Sequence, residues 1–237
     1  MEWVRLLSDY MRYAISDIHG GSRTFRALLD RLDLKHSDRL YLLGDYVDRG
    51  NDSKGVLDTI WDLINAGYDV RPIRGNHDDM FHRILMGNHD QFSPFWYGSW
   101  GVNTLASFGV RDAAEVPLRY LTLLDALPMA IYDDDFVFVH AALDITLEDP
   151  VGQTNNVTML WGDCPSIPAG KLDNKTLVSG HRIRPLPLIE VSMMTNRILL
   201  DNGAFTNDQP DMGNLVALSL DKMQLHIQPW LDGEALP

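Results

Sequence analysis

Apolar residues fall along the chain in short, dense runs, each of which breaks at a turn rich in glycine and aspartate and gives way to helical spacing. The first run, Tyr13-Ala14-Ile15-Ser16, ends at Asp17-Ile18-His19-Gly20-Gly21, and Phe25, Leu28, Leu29 and Leu32 follow along one helix face. Leu40-Tyr41-Leu42-Leu43 runs likewise into Gly44-Asp45, before Val56, Ile60, Leu63 and Ile64 mark a second helix that ends near Gly67. A third unit sets Val70, Pro72 and Ile73 ahead of Gly75-Asn76-His77-Asp78 and predicts a helix around Met80 to Leu85. Asp17 and Asp45 stand 28 positions apart, and Gly44 and Gly75 31. Both spacings are close to the ~30 residues of a strand, helix and parallel strand.

Residues 91 to 128 break this rhythm. Trp96, Tyr97 and Trp100, then Leu105, Phe108, Leu118, Leu121 and Leu124, predict a helical cap or insertion within a single domain spanning 1 to 237. Strands resume at Phe136-Val137-Phe138-Val139, Thr176-Leu177-Val178 and Ile198-Leu199-Leu200. Two further runs, Leu215 to Leu220 and Met223 to Ile227, meet at Asp221-Lys222 and predict a hairpin. The stretch 144 to 174 has little periodicity and reads as a long loop, of the kind that often serves function.

With 237 residues, 45% of them hydrophobic, the chain can bury a sizeable core. Its formal charge of −13 disfavours sequence-independent binding to a nucleic acid backbone. An anionic substrate must then be drawn by a local positive source, and a bound metal would be one. Cys164 is the single cysteine, which excludes an intramolecular disulfide, a thiolate zinc cluster and a paired-thiol redox motif. No run approaches the ~18 apolar residues of a membrane span, and Met1 to Leu7 lack the pattern of a secretory signal. The expectation is a soluble, cytoplasmic protein that engages no membrane. The ten residues ahead of Met11 read as an added turn of helix or as preceding an alternative start.

The ionisable residues sit where this pattern places strand ends: Asp17 and His19, Asp45 and Asp48, Asn76 and His77, His140, and His181. In parallel α/β sheets such ends converge on one crevice. Carboxylates, neutral imidazoles and an amide oxygen suit divalent manganese, iron or zinc better than calcium. Two such ions about 3.5 to 4 Å apart can activate water and clamp the oxygens of an in-line displacement at phosphorus.

Five motifs in order, Asp17-Ile18-His19-Gly20, Gly44-Asp45-Tyr46-Val47-Asp48-Arg49-Gly50, Gly75-Asn76-His77-Asp78, Val139-His140-Ala141 and Gly180-His181, resemble the signatures of calcineurin-like metallophosphoesterases. The second is similar to the branch holding serine/threonine phosphoprotein phosphatases and symmetrical diadenosine tetraphosphatases. Leu200-Asp201-Asn202-Gly203-Ala204 resembles the family's Asp-Thr-Gly turn, with Asn202 in place of Thr. The resemblance implies an α/β fold in which two mixed β-sheets pack face to face, flanked by helices in a four-layer sandwich, with the small helical cap. It also implies two divalent metal ions, manganese first and iron or zinc next. Asp17, His19 and Asp45 would hold one, and Asp45, Asn76, His140 and His181 the other, with Asp45 bridging. His77 would protonate the leaving oxygen, Asp48 would favour its imidazolium form, and Arg49 would grip the phosphate. The nucleophile would be a metal-bridging hydroxide, with no covalent enzyme intermediate.

Gly87-Asn88-His89-Asp90 repeats the third motif letter for letter but follows helical spacing, so Gly87 reads as a helix C-cap and Asn76 and His77 are chosen for the site. Trp96, Gly101, Thr104 and Leu105 resemble a helix start of bacterial phosphoprotein phosphatases. The aromatic residues there either anchor the cap on the core, the preferred reading, or face substrate. His36, His82 and His226 read as surface or packing residues, and Asp133-Asp134-Asp135 as a solvated turn. Phosphoprotein phosphatases carry a second arginine between the two late histidines, and this chain has none there. Lys171, Lys175, Arg182 and Arg184 are the nearby cations, so Arg49, Asn76, Arg182 and Lys171 are the candidate substrate contacts. The expected activity is that of a serine/threonine phosphoprotein phosphatase or broader phosphomonoesterase. Asp78, where the phosphatases usually have Glu, and the absent arginine open the alternative of a symmetrical dinucleoside tetraphosphatase that releases ADP. A catalytically silent binding module on the same fold is the third. The partner is then a phosphorylated protein, a small phosphoester or a nucleotide.

Overall fold

A computed structural model of the chain describes residues 10–88, 93–164, 166–206 and 209–233. Three strand-helix units open it, as the apolar rhythm predicts: β1 (Arg12–Ile15) and α1 (Ser22–Leu32), β2 (Arg39–Leu42) and α2 (Ser53–Asn65), β3 (Asp69–Pro72) and α3 (Asn76–Leu85). Helices α4 (Ser93–Gly98), α5 (Trp100–Phe108) and α6 (Leu118–Asp125) follow, then β4 (Ala130–Tyr132), β5 (Phe136–Val139), α7 (Pro150–Gln153) and α8 (Asn156–Trp161). The remainder is β6 (Thr176–Ser179), α9 (Leu186–Ser192), β7 (Arg197–Leu199), and a hairpin of β8 (Asn214–Ser219) and β9 (Gln224–Pro229).

One sheet runs β3-β2-β1-β8-β9, parallel among its first three strands and antiparallel at β1-β8 and β8-β9. The other runs β4-β5-β6-β7, antiparallel only at β4-β5. Both sheets are mixed, and they face each other. Ala14, Tyr41, Leu43, Ile73 and Leu218 of the first meet Phe138, Val178 and Ile198 of the second in a shared core, where Tyr41 stacks on Phe138 with centroids 3.9 Å apart. The alternate residues of each strand point outward. Ile15, Leu40 and Leu42 pack under α1, α2 and the α4–α6 helices, while Val137, Val139 and Leu177 pack against Met159, Leu172 and Cys164. The four layers thus follow from strands that are apolar on both faces.

The α4–α6 helices bury Trp96, Leu105, Tyr120 and Leu124 in the same core as α1 and α2. At the end of the sandwich where β1 begins, Arg12 joins the sheets: its guanidinium reaches Asp133 at 2.6 Å and Asp135 at 2.9 Å on the β4-β5 turn, and Asp221 at 2.8 Å on the β8-β9 turn. Asp133 is therefore no solvated turn residue. It is a largely buried ion-pair partner that also accepts the Tyr41 hydroxyl.

Five elements depart from the sequence pattern. The 144–174 stretch holds α7 and α8, too short to show a period, each capped by the side chain of Asp149 or Asn155. β4, three residues long, and α9, seven residues opened by Pro185, are apolar but too short to show a period. Helix α3 begins at Asn76 rather than near Met80, because the Asp78 carboxylate turns back to accept the Gly75 N–H at 2.9 Å.

Candidate metal centre

The register of the parallel strands carries the motifs to one place. Beyond the pair Ile15 with Leu42, the turns remain zipped: His19 N–H donates to the Asp45 carbonyl at 2.8 Å and Gly20 N–H to that of Tyr46 at 2.9 Å. In the second sheet Phe138 pairs with Val178, and Gly180 N–H donates to the His140 carbonyl at 2.8 Å. The His140 ring then crosses between sheets, its Nδ1 on the Leu43 carbonyl at 2.8 Å, which leaves Nε2 facing the crevice.

Asp17, His19, Asp45, Asp48, Arg49 and His181 all adopt left-handed backbone, with φ between 47° and 70°. Such conformations are costly for residues with a Cβ and cluster where a site over-determines them. Close approach of the loops also demands Gly75, since a Cβ there would fall on the backbone N and carboxylate of Asp45. Neither feature has a sequence signal beyond the glycines themselves.

Asp45 stands at the middle. Its Oδ2 lies 3.5 Å from His19 Nε2 and 3.5 Å from His140 Nε2, while its Oδ1 accepts the His77 N–H at 2.9 Å. Asn76 Oδ1 lies 2.8 Å from His140 Nε2 and 3.0 Å from His181 Nδ1. Asp17 is buried beside them, taking the Ser16 hydroxyl and the His181 N–H. Two ligand-like groups share Asp45: His19, Asp45 and His77, and Asp45, His140 and His181. Burial, then repulsion from Asp201, holds the Asp17 carboxyl well above the usual range, and burial with repulsion from Asp17 does the same to Asp45. Burial pushes His19 and His140 well below the ordinary imidazole range and takes His181 down to about 4. Carboxylates short of positive charge and imidazoles kept neutral form a donor set that fits divalent ions. Asp17, His19, Asp45, Asn76, His140 and His181 would hold them, and the ions would supply Lewis acidity toward water and phosphoryl oxygens.

His77 Nδ1 lies 2.7 Å from Asp48 Oδ2, so its Nε2 is the nitrogen left for proton transfer. The Arg49 guanidinium sits between the Trp100 ring at 4.4 Å and the Phe205 ring at 5.0 Å. Phe205 in turn edges onto His19, and Trp100 lies 4.7 Å from the His77 ring. On the other flank, Trp161, 44% exposed, stands edge-on to His181 at 5.8 Å, and its carbonyl receives Arg182 Nη2 at 3.4 Å. Phe205 and Trp161 had no sequence signal, because neither lies within a motif.

Lys175 is placed elsewhere, its ammonium on the Asp133 and Asp134 carbonyls at the start of β6. Lys171 lines a separate cavity of about 420 Å³ with Tyr132, Glu148 and Asp149. Asp78 touches no substrate space: fully buried, it accepts the N–H groups of Asp45 at 2.7 Å, Tyr46 at 2.9 Å and Gly75. Burial takes it up to about 6. Trp96 is a buried anchor, as preferred from the sequence, but its indole N–H also reaches Asp48. Gly87, at φ +74°, caps α3, while His89 and Asp90 lie outside the described residues.

Two facing mixed sheets with a carboxylate-imidazole cluster at their shared strand ends define a phosphoesterase architecture. A profile of calcineurin-like phosphoesterases matches residues 12–192, and the chain belongs to that family, whose members are metal-dependent phosphoric ester hydrolases. It is 36% identical over 132 residues to a symmetrical bis(5'-nucleosyl)-tetraphosphatase of Nitrosomonas europaea, a match that covers 55% of this chain and 44% of that protein. The chain thus spans under half the length of that relative. It is 26% identical over 235 residues to the asymmetrical bis(5'-nucleosyl)-tetraphosphatase PrpE of Anoxybacillus flavithermus, covering 89% and 90% of the two chains. A solved structure described as a candidate diadenosine tetraphosphatase superposes with a TM-score of 0.66 at 20% identity, covering 94% and 95%. Among the described residues no helix is long and apolar enough to cross a membrane.

Proposed function

We propose that the chain hydrolyses dinucleoside polyphosphates, splitting diadenosine tetraphosphate into two molecules of ADP. The observation that carries this reading is the aromatic wall: Arg49 held between Trp100 and Phe205 on one flank, and Trp161 with Arg182 on the other. Guanidinium groups suit phosphate, and exposed rings suit the π-faces of bases, each stack contributing about 1–3 kcal/mol. The names of the bacterial relatives support the same substrate class. The serine/threonine phosphatase reading stands second to it, since the relatives' names speak for nucleotide substrates and neither Lys171 nor Lys175 reaches the crevice.

In this reading Arg49 and Asn76 orient the phosphate chain, with Arg182 at its far side. His77, its ring fixed by Asp48, delivers a proton from Nε2 to the departing ADP oxygen. Manganese is the ion of choice. The test is to incubate the manganese-loaded protein with diadenosine tetraphosphate, and separately with a phosphothreonine peptide, and to resolve the products by chromatography. ADP as the dominant product is expected. AMP together with ATP would assign an asymmetrical cut, and phosphate from the peptide beside intact dinucleotide would overturn the nucleotide reading.

A further inference from the structure

We propose that Trp96 and Thr104 are positioning residues that fix the Asp48 carboxylate for His77, so that helices α4 and α5 belong to the catalytic apparatus. Asp48 is completely buried, and both its oxygens are engaged. Oδ2 meets His77 Nδ1 at 2.7 Å and the Trp96 indole N–H at 3.0 Å; Oδ1 accepts the Thr104 hydroxyl at 2.7 Å, with the indole N–H at 3.1 Å. Having given its hydrogen to Oδ1, Thr104 Oγ1 accepts the Asp48 backbone N–H at 3.1 Å and stands 3.0 Å from the buried Ser53 hydroxyl.

A carboxylate with one donor is free to turn about its Cβ–Cγ bond, and the imidazole it holds turns with it. Donors on both oxygens in a buried site remove that freedom, because leaving any of these groups unpaired costs the full desolvation penalty. The His77 ring is thereby locked with Nδ1 on Asp48, in the crevice beside Asp45 and His19. The sequence that builds this clamp is local. Gly101, opening α5, lacks the Cβ that would collide with the Trp96 ring, and Phe81 of α3 stacks on the other side of the indole at 5.6 Å.

The proposal rests on His77 as the proton donor and not on which phosphoester is cleaved, so it stands or falls apart from the product assay above. Trp96→Phe and Thr104→Val remove one donor each while keeping shape, and Thr104→Ser keeps the hydroxyl. With diadenosine tetraphosphate and phenyl phosphate as substrates, the first two should lower kcat roughly 10- to 100-fold, the range for partners that orient an active-site group. KM and bound manganese should be unchanged, and Thr104→Ser should retain turnover. In a His77→Asn background neither Trp96→Phe nor Thr104→Val should cost anything more, because their effect passes through that ring. By NMR of the zinc-loaded protein, the hydrogen-bonded Nδ1 proton of His77 should shift or broaden in both variants. An unchanged proton signal, or an equal loss of kcat in the His77→Asn background, would overturn the proposal.

Discussion

Helix α3 is bracketed by two copies of one tetrapeptide, Gly75-Asn76-His77-Asp78 at its start and Gly87-Asn88-His89-Asp90 past its end. The first copy is fed by β3. Gly75 has extended backbone there, Asp78 folds back to take three N–H groups, and Asn76 and His77 project from the first helical turn into the crevice. The second copy is fed by the helix. Gly87 turns left-handed, its N–H donates to the Ile84 carbonyl and that of Asn88 to the Arg83 carbonyl, so the motif's opening residues close the helix. The same letters therefore start an element or stop it according to what precedes them, and the copy that a strand delivers to the sheet's end is the one whose Asn76 and His77 stand beside His140 and Asp45.

Substitutions break this contrast in graded fashion. His77→Asn should lower turnover about 100- to 10,000-fold with metal content intact, read by kcat beside elemental analysis. Gly75→Ala should displace Asp45, whose Cγ lies 3.0 Å from the added carbon, and weaken metal binding about 10- to 100-fold in a calorimetric titration. Gly87→Ala meets nothing within 4 Å but forces alanine to φ +74°. It should cost about 1 kcal/mol in a denaturant melt and leave turnover alone. His89→Asn should move stability by less than about 0.5 kcal/mol and turnover not at all. A loss at His89 matching that at His77 would reverse the assignment of the two copies.

What the sequence made legible was whatever repeats or alternates. β1 to β3 and their helices are visible because apolar residues mark both the strands and the helix faces, and the ligand-like residues because each follows such a run. Asp78 shows the limit: its letter suggested a preference among substrates, while its place in the fold is that of a buried acceptor for three loop N–H groups. Trp96 and Thr104 could be named but not joined to Asp48, because that contact spans 48 and 56 positions of chain. Phe205 and Trp161 reach the crevice from loop and short-helix segments that have no period to betray them.

The Arg12 junction acquires a different meaning once the crevice is set beside it. The sandwich resembles a book clasped at two opposite edges. At one edge Arg12 grips carboxylates from both sheets, a clasp made by the chain itself and loosened by acid or salt. At the other edge Asp17, His19, Asp45 and Asn76 come from one cover and His140 and His181 from the other, joined directly by the His181 N–H on Asp17 and the His140 ring on the Leu43 carbonyl, and divalent cations held there would add a second fastening. The two covers would thus be held by fasteners of unlike chemistry, and bound divalent cation would add to the second a stability that rises with its concentration.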